Sequence, residues 1–247
     1  MKVVLSIAGS DSSGGAGIQA DIKTAEAHGL FSTTAITALT AQNTNGVSGV
    51  CGVEAKFVIK QIEAILSDFD ISAIKIGMLG SYDTAKALSG ILKNFNKPMV
   101  LDPVAISRAG SKLLDDKAKS ALIELFPLVD IVTPNHFEAE YFGLNIATDA
   151  KLPQCNFLIK NIYPNSNEAV DRLFINGSFA KDFKTPFAQK KNTHGTGCTY
   201  SMAIACNLAL GLTLGKAIQT SKNYIYRAIK NAPDLGCGNG PIKHKVI

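Results

Sequence analysis

Residues 192–199, Asn-Thr-His-Gly-Thr-Gly-Cys-Thr, have the types and spacing of an anion-binding turn, and an apolar stretch at 201–211 follows them. A helix N-terminus carries unpaired N–H groups and a partial positive charge, and Gly195 and Gly197 have no Cβ to keep a phosphate away. The same field favours the thiolate of Cys198 over the thiol. The segment therefore predicts a phosphate cradle beside a thiol that accepts a proton during phosphoryl transfer. The alternative is an ordinary glycine turn in which Cys198 is a small core residue.

Further residues that could bind a ligand follow the predicted strands, at the point where each strand ends. They are Asp11, Met78, Asp102, Asn135 and Lys160. Open parallel sheets bind their ligands outside the carboxyl ends of the strands. Because these residues come from distant segments and all follow strand ends, the sequence predicts one ligand site at the carboxyl edge of the sheet.

The elements that must position these residues alternate between apolar runs of strand length and segments of helical period. This pattern predicts an α/β fold with a mostly parallel sheet flanked by helices. The predicted strands are 3–8, 33–39, 73–76, 99–101, 131–132, 157–159 and an antiparallel region at 172–187 with a turn at Asn176-Gly177. The predicted helices are 16–28, 55–68, 82–95, 115–126 and two more that close the chain. The link between Phe142 and Phe157 is too short and broken for a full crossover helix.

The composition bounds the class of protein. With 247 residues, 46% hydrophobic and 18% charged, the chain suits one large domain, 1–247, with an extensive core. The net charge of +5 comes from lysines spread along the chain, so no basic stripe indicates nucleic acid. Five cysteines without a repeated spacing indicate free thiols in a reducing compartment and no zinc site. No segment has the length of a membrane span and the N-terminus is typical of a first core strand, so we expect a cytoplasmic protein.

Six segments, in this order, resemble the ribokinase-like family, and within it the bacterial hydroxymethylpyrimidine and phosphomethylpyrimidine kinases. They are 7–24, 36–47, 75–79, 101–104, 133–140 and 192–198. In relatives outside this branch, an aspartate that acts as a base usually stands at the position of Cys198. The resemblance implies a three-layer sandwich and an enzyme that uses ATP and Mg²⁺. It implies that the enzyme phosphorylates 4-amino-5-hydroxymethyl-2-methylpyrimidine and then its monophosphate, in thiamine synthesis.

The resemblance also implies roles for single residues near the transferred phosphoryl group. Cys198 would take the proton from the hydroxymethyl group, while the turn Gly195, Thr196 and Gly197 holds the phosphoryl group. A helix N-terminus lowers the pKa of a cysteine thiol, so we expect Cys198 to be a better base than a free thiol. Alternatively, Cys198 is a pure backbone donor whose sulfur is incidental.

Four residues are assigned to the substrate by the resemblance. Gln42 would read the pyrimidine edge, unless it is a solvated loop residue in the polar run 42–45. Met78 would pack on the substrate ring, unless it is a core methionine. Asp21 would be a pocket carboxylate, although it could also face solvent from the first helix. Gly9 would let the backbone approach the substrate, or form a tight strand-to-helix turn.

The nucleotide side follows in the same way. Asn135 and Glu138 form the Asn-x-x-Glu pattern that the family uses near Mg²⁺ and phosphate, although Glu138 taken alone is an ordinary first-turn helix glutamate. Asp102 would hold Mg²⁺ or cap a turn, and Lys160 would reach the ATP phosphates. Thr193 is assigned to the nucleotide with Lys160 and Asn135. His194 is interpreted as a loop histidine with no role in proton transfer.

The sequence departs from the family where the nucleotide would lie. The helix usual before Lys160 is nearly absent, and Asn161-Ile162-Tyr163 replaces the family's Gly-Gly-His. Three alternatives to the pyrimidine kinase stay open: a pyridoxal or pyridoxine kinase, a catalytically weakened pyrimidine-binding sensor, and a cysteine hydrolase, which lacks a suitable histidine and asparagine. Family members are often dimers, so the chain is a candidate homodimer.

Overall fold

A single nine-stranded sheet runs through the chain in the order β3-β2-β1-β4-β5-β6-β7-β8-β9. The structure, a computed structural model, describes residues 1–105, 116–164 and 166–246. The strands are β1 (Val3–Asp11), β2 (Phe31–Asn43), β3 (Gly46–Gly52), β4 (Ile71–Ile76), β5 (Met99–Leu101), β6 (Ile131–Val132), β7 (Phe157–Ile159), β8 (Glu168–Ile175) and β9 (Ser178–Pro186). Neighbours from β2 to β7 pair in parallel, whereas β3, β8 and β9 pair antiparallel.

Helices cover both faces of this sheet. They are α1 (Gly17–Ala27), α2 (Ala55–Leu66), α3 (Tyr82–Leu92), α4 (Asp116–Ile123), α5 (His136–Tyr141), α6 (Thr196–Ala209) and α7 (Leu214–Lys230). Leu5 and Ile7 of β1 lie in one apolar cluster with α2, α3 and α4, while Val4 lies in another with α1, α6 and α7. Successive strand residues point to opposite faces, so the two clusters sit on opposite sides. The predicted α/β sandwich is confirmed.

Helix α6 begins at the phosphate-cradle sequence and is deeply buried. It is apolar almost all round, with buried residues from Thr199 to Ala209. A helix with this composition must be covered on every side. It packs on β4 and β5 and against α1 and α7, so its N-terminus is held firmly at the carboxyl edge of the sheet.

The hairpin prediction at Asn176-Gly177 is confirmed, since both residues have positive φ between β8 and β9. The expected absence of a crossover helix is also confirmed, because residues 142–156, all of them described, contain no helix. Helix α4 begins at Asp116 and ends at Ile123, earlier than the predicted 126, and the predicted residue 115 lies outside the described residues. Within the described residues, no helix is both long and apolar enough to cross a membrane.

The sequence analysis did not predict strand β3. Strand β2, which precedes it, ends at Gln42 and Asn43, so interpreting Gln42 as part of a polar loop is wrong. The chain then returns as β3, an edge strand in which every residue is exposed. Three glycines and no apolar alternation hide this strand in the sequence. Its pairing with β2 is supplied by the backbone rather than by side-chain burial.

Candidate active site

A cavity of about 670 Å³ opens at the carboxyl edge of the sheet. It is lined by the strand-end residues Asp11, Met78, Asp102, Asn135 and Lys160. The prediction that these distant residues meet is therefore confirmed. The same cavity is lined by the first turn of α6, which brings the two sequence signals together.

The turn before α6 has the geometry of an anion cradle. Gly195 caps the helix with φ of 79°, and a Cβ there would collide with the carbonyl oxygen of Gly15. Glycine is therefore required both for the left-handed conformation and for the close approach. The hydroxyl of Thr196 donates to the carbonyl of Thr193 at 2.7 Å, which closes the turn. Gly195, Thr196, Gly197 and Cys198 all line the cavity, so the first turn of α6 forms part of its wall.

The thiol of Cys198 does not have the expected acidity. Burial raises its pKa to about 11, and the carboxylates of Asp102 and Asp21 add to the rise. The Lys75 ammonium and the N–H of Gly17 oppose it but are weaker. The expected lowering of this pKa is not found, because desolvation and the two carboxylates raise the pKa by more than Lys75 and Gly17 lower it.

Asp21 lies beneath the cavity rather than in it. Its carboxylate is fully buried, and the Lys75 ammonium, also fully buried, donates to its two oxygens at 2.8 and 3.0 Å. Ser6 adds a hydroxyl donor at 2.6 Å. Both sequence interpretations, a substrate carboxylate and a solvent-facing one, therefore fail. The available signal was Lys75 itself, a lysine inside the apolar strand Ile-Ser-Ala-Ile-Lys-Ile, which needs a buried partner.

The predicted substrate residues Gln42, Met78 and Gly9 all line the cavity. A Cβ on Gly9 would come within 2.5 Å of the Met78 methyl group, so glycine there makes room for this side chain. The backbone of Gln42 is held by Ser12, whose hydroxyl accepts from its N–H and donates to its carbonyl, both at 2.8 Å. The side chain of Gln42 is thus presented from a fixed strand end.

Sequence reasoning missed a long-range hydrogen bond at this side of the cavity. Nε2 of His194 lies 2.8 Å from Oδ2 of Asp11, although 183 residues separate them in the chain. The carboxylate of Asp11 also accepts from the backbone of Ser13, Gly15 and Ala16. Burial favours a higher pKa, but the hydrogen bonds from His194, Ser13 and Ala16 together hold the pKa of Asp11 well below its usual value. No local sequence signal connects these residues.

Three further charged residues, Asp102, Glu138 and Lys160, also line the cavity. The Lys160 ammonium donates to Asp102 at 2.7 Å, and both residues are buried. Asn135 and Glu138 form a capping box at the start of α5, with hydrogen bonds of 2.9 and 2.8 Å. Burial raises the pKa of Glu138 to about 7, with a contribution from Asp102 and opposition from Lys160. Glu138 is thus both a first-turn helix residue and a cavity residue.

This group fits Mg²⁺ only in the presence of a phosphate ligand. In the part of the chain that the structure describes, no set of three or more His, Cys, Asp or Glu side chains could hold a metal ion. Mg²⁺ is usually bound by one or two carboxylates, with phosphate oxygens and waters completing its shell. Asp102 and Glu138 provide those two carboxylates on one side of the cavity.

Two expectations about the nucleotide side need adjustment. Thr193 does not line the described cavity, because its N–H and hydroxyl both donate to Oδ1 of Asn239, at 2.9 and 3.2 Å. Asn161, which replaces a family glycine, has φ of 51°. Asparagine is one of the few side chains that adopt this left-handed conformation readily. Its N–H donates to Asp171 at 2.9 Å, so the backbone after Lys160 is well anchored.

Residues 11–243 match the family model described as phosphomethylpyrimidine kinase. The hydroxymethylpyrimidine/phosphomethylpyrimidine kinase of Rhizobium meliloti is 42% identical over 98% of this chain and 96% of its own length. That of Haemophilus influenzae is 40% identical over 99% and 97%. The thiamine biosynthesis bifunctional protein ThiED of Geobacter sulfurreducens is 44% identical over 98% of this chain. This chain covers only 52%, about half, of that longer protein.

Solved structures with the same fold include kinases for two kinds of substrate. The ADP complex of Bacillus subtilis pyridoxal kinase has a TM-score of 0.87 and 32% identity, covering 99% of this chain and 97% of that one. The Staphylococcus aureus pyridoxal kinase with AMP-PCP and pyridoxal has a TM-score of 0.84 and 30% identity, and the match covers 99% of this chain and 94% of that one. A phosphomethylpyrimidine kinase from Clostridium difficile has a TM-score of 0.78 and 40% identity, and the match covers 93% of this chain and 100% of that one.

Proposed function

This chain belongs to the phosphomethylpyrimidine kinase family, and we propose that it transfers the γ-phosphoryl group of ATP to 4-amino-5-hydroxymethyl-2-methylpyrimidine. It then phosphorylates the resulting monophosphate to the diphosphate, as a step of thiamine biosynthesis. The observation that carries this proposal is a single cavity that joins the anion cradle and Cys198 to Gln42 and Met78. An alcohol held at Gln42 and Met78 would face a phosphoryl group held at the cradle.

Phosphoryl transfer depends mainly on positioning and on neutralising phosphate charge. The N–H groups at the start of α6 and the Lys160 ammonium supply donors to the phosphate oxygens. Asp102 and Glu138 would hold Mg²⁺, which neutralises phosphate charge when it is bound. The alcohol oxygen forms a bond to the γ-phosphorus while the bond to the ADP oxygen breaks.

The proton of the alcohol is assigned to Cys198. A thiol with a pKa of about 11 is almost entirely protonated at pH 7, so only a small thiolate fraction acts as the base. The contribution of Cys198 to the rate should therefore grow as the pH rises. The alternative of a cysteine hydrolase has no support, since the hydrogen bonds of the His194 ring go to Asp11 and Gln42, and among the described residues none joins this ring to Cys198.

A pyridoxal kinase is the second candidate. The observation in its favour is the close fold match to the pyridoxal kinases of Bacillus subtilis and Staphylococcus aureus over 99% of this chain. Gln42 favours the aminopyrimidine, because an amide can both donate to and accept from the adjacent amine and ring nitrogen. The sensor alternative is weakened by the anchored backbone at Asn161 and by the intact pair Lys160–Asp102.

The deciding experiment measures ATP consumption by the purified chain with Mg²⁺ on three acceptors: the hydroxymethylpyrimidine, its monophosphate and pyridoxal. Turnover on both pyrimidines supports the proposed function. Turnover on pyridoxal alone replaces it with the second candidate. Pyrimidine binding without ATP consumption in any mixture assigns the chain to the sensor class.

Use of Mg²⁺, a homodimeric state and a cytoplasmic location belong to the same proposal. They rest on family membership and, for the metal, on the two cavity carboxylates Asp102 and Glu138. Light scattering coupled to size-exclusion chromatography tests the dimer. Replacing Mg²⁺ by EDTA in the ATP assay tests the metal.

A further inference from the structure

His194 lies between two residues of the substrate side and has no part in the chemistry assigned above. Its Nε2 is 2.8 Å from the Asp11 carboxylate and 3.3 Å from Nε2 of Gln42. The ring is packed closely, since a Cβ on Gly15 would collide with it. The His194 N–H donates to the carbonyl of Gly240 at 3.0 Å, which holds the residue from the other side.

The protonation of His194 follows from its partner. The Asp11 carboxylate receives N–H or O–H groups from Ser13, Gly15 and Ala16, and a carboxylate with so many donors stays ionised. An ionised carboxylate can only accept. Nε2 of His194 must therefore carry a proton and donate it to Asp11, whether the ring is neutral or cationic.

A second constraint comes from Thr40, on the other side of the Gln42 amide. The Thr40 hydroxyl lies 2.9 Å from the Ser10 carbonyl and 3.2 Å from the amide atom of Gln42 that is assigned as Oε1. The oxygen and nitrogen of such an amide are assigned from its hydrogen bonds, so this assignment has to agree with the neighbours. The single proton of the Thr40 hydroxyl goes to the Ser10 carbonyl, which can only accept and is nearer. The hydroxyl oxygen is then left to accept a hydrogen bond from Gln42.

Both neighbours specify the same orientation of the Gln42 amide. Nε2 of His194 carries a proton that it donates to Asp11, so it has no lone pair to accept from Gln42 and is compatible only with the amide oxygen beside it. The Thr40 oxygen accepts, so it is compatible only with the amide nitrogen. The amide satisfies His194 and Thr40 together only when Oε1 faces His194 and Nε2 faces Thr40. The hydrogen-bond partners of an amide are what decide which of its two ends is the oxygen. With the amide nitrogen in the position 3.3 Å from Nε2 of His194, its N–H would face a nitrogen that has no free lone pair.

We propose that His194, held by Asp11, is a positioning residue that fixes the orientation of the Gln42 amide and so makes the cavity selective for an aminopyrimidine. The inference rests on the proposed function. An amide fixed in this way presents its remaining N–H donor and its remaining oxygen lone pair in a fixed arrangement across the cavity. The aminopyrimidine edge carries an exocyclic amine, which donates, beside a ring nitrogen, which accepts. Only one of the two amide orientations pairs its oxygen with the amine and its N–H with the ring nitrogen. Pyridoxal carries no such amine and depends less on this orientation.

The test compares wild type, His194→Phe and His194→Gln by calorimetric binding of the pyrimidine alcohol and of pyridoxal, and by KM for ATP. We expect His194→Phe to weaken pyrimidine binding about tenfold, the usual loss for one removed hydrogen bond to a charged network. Pyridoxal binding and the KM for ATP should change by no more than about twofold. His194→Gln, which retains an amide N–H, should recover most of the pyrimidine affinity.

Two results would overturn the inference: an equal loss for both ligands and for ATP, or a His194→Phe loss that is undiminished in a Gln42→Ala background. Nitrogen chemical shifts of His194 give a readout that needs no ligand. They should show a proton on Nε2, and a neutral ring with its proton on Nδ1 would contradict the inference. A wild type that binds pyridoxal but not the pyrimidine would refute the proposed function instead, with the His194 chemical shifts unaffected.

Discussion

At the scale of single residues, Cys198 shows two opposing influences on one thiol. The start of α6 favours the anion, as the sequence suggests, whereas burial and the carboxylates of Asp102 and Asp21 favour the thiol. Desolvation makes the largest contribution to the pKa of this half-buried thiol, and it raises the pKa. Neither the depth of the cavity nor its distant carboxylates could be read from the segment 192–199.

The raised pKa predicts the pH dependence of Cys198 alkylation. Thiolate is the reactive form, so its rate should rise about tenfold per pH unit between about pH 7 and 9.5 without reaching a plateau. Peptide-level mass spectrometry after iodoacetamide pulses measures Cys198 separately from the other four cysteines. A plateau near neutral pH would show instead that the helix field prevails.

The base assignment predicts a split between turnover and binding. In Cys198→Ala, kcat for the hydroxymethylpyrimidine should fall by about 10²–10⁴-fold, while pyrimidine binding weakens by no more than about threefold. Cys198→Asp is the matched variant, since it restores a base, and we expect it to recover part of kcat. Equal kcat values for wild type and Cys198→Ala, measured under saturating substrates, would remove the assignment.

At the scale of elements, the buried pair Lys75–Asp21 joins β4 to α1 directly below the cavity. Both side chains are fully buried, and each charge offsets the cost of burying the other. Asp21 was predicted to serve the ligand, yet its position in α1 directs it to β4. The strand-end cluster could be predicted, because the carboxyl ends of parallel strands share one edge. Pairs between elements, such as this one, depend on helix rotation and register, which the sequence does not reveal.

Removing one partner of this pair should be costly. Lys75→Met leaves the Asp21 carboxylate buried without its cation, so the free energy of unfolding should drop by about 3–5 kcal/mol. The double variant Lys75→Met/Asp21→Asn should recover much of this loss, because the introduced asparagine is neutral and can still accept from Ser6. Urea denaturation of wild type, Lys75→Met, Asp21→Asn and the double variant gives a double-mutant cycle. If the two single losses of unfolding free energy simply add in the double variant, the pair is not coupled.

At the scale of the whole molecule, the segment after α7 closes the site from the far end of the chain. Asn239 binds Thr193, the Gly240 carbonyl accepts from His194, and His244 lies buried 3.1 Å from the hydroxyl of Thr199. None of these contacts could be predicted, because the segment 231–246 has no regular element and no apolar period. Its partners are recognised only in the folded chain.

Buried His244 should make the whole molecule sensitive to acid. Burial lowers its pKa to about 4, with a smaller contribution from Lys23, so folding favours the neutral ring. The stabilisation is fully present above about pH 6.5, where the unfolded histidine is neutral too, and is lost as the pH falls towards 4. The loss should be on the order of 3 kcal/mol by about pH 4.

The matched variant His244→Gln keeps a polar side chain near Thr199 and cannot be protonated in this range. Thermal unfolding of the two proteins between neutral pH and about pH 4 should give curves whose difference narrows or reverses as the pH falls. Parallel curves over the whole range would assign the acid sensitivity to other groups.

The contact between His194 and Asp11 joins residues that lie 183 positions apart in the chain. During synthesis on the ribosome, His194 and the cradle emerge about 183 residues later than Asp11. The ligand site therefore forms only after residue 198, the last residue of the cradle, has been synthesised. A metabolite that binds there stabilises the folded chain by mass action, but it cannot assist a nascent chain that has not yet reached residue 194.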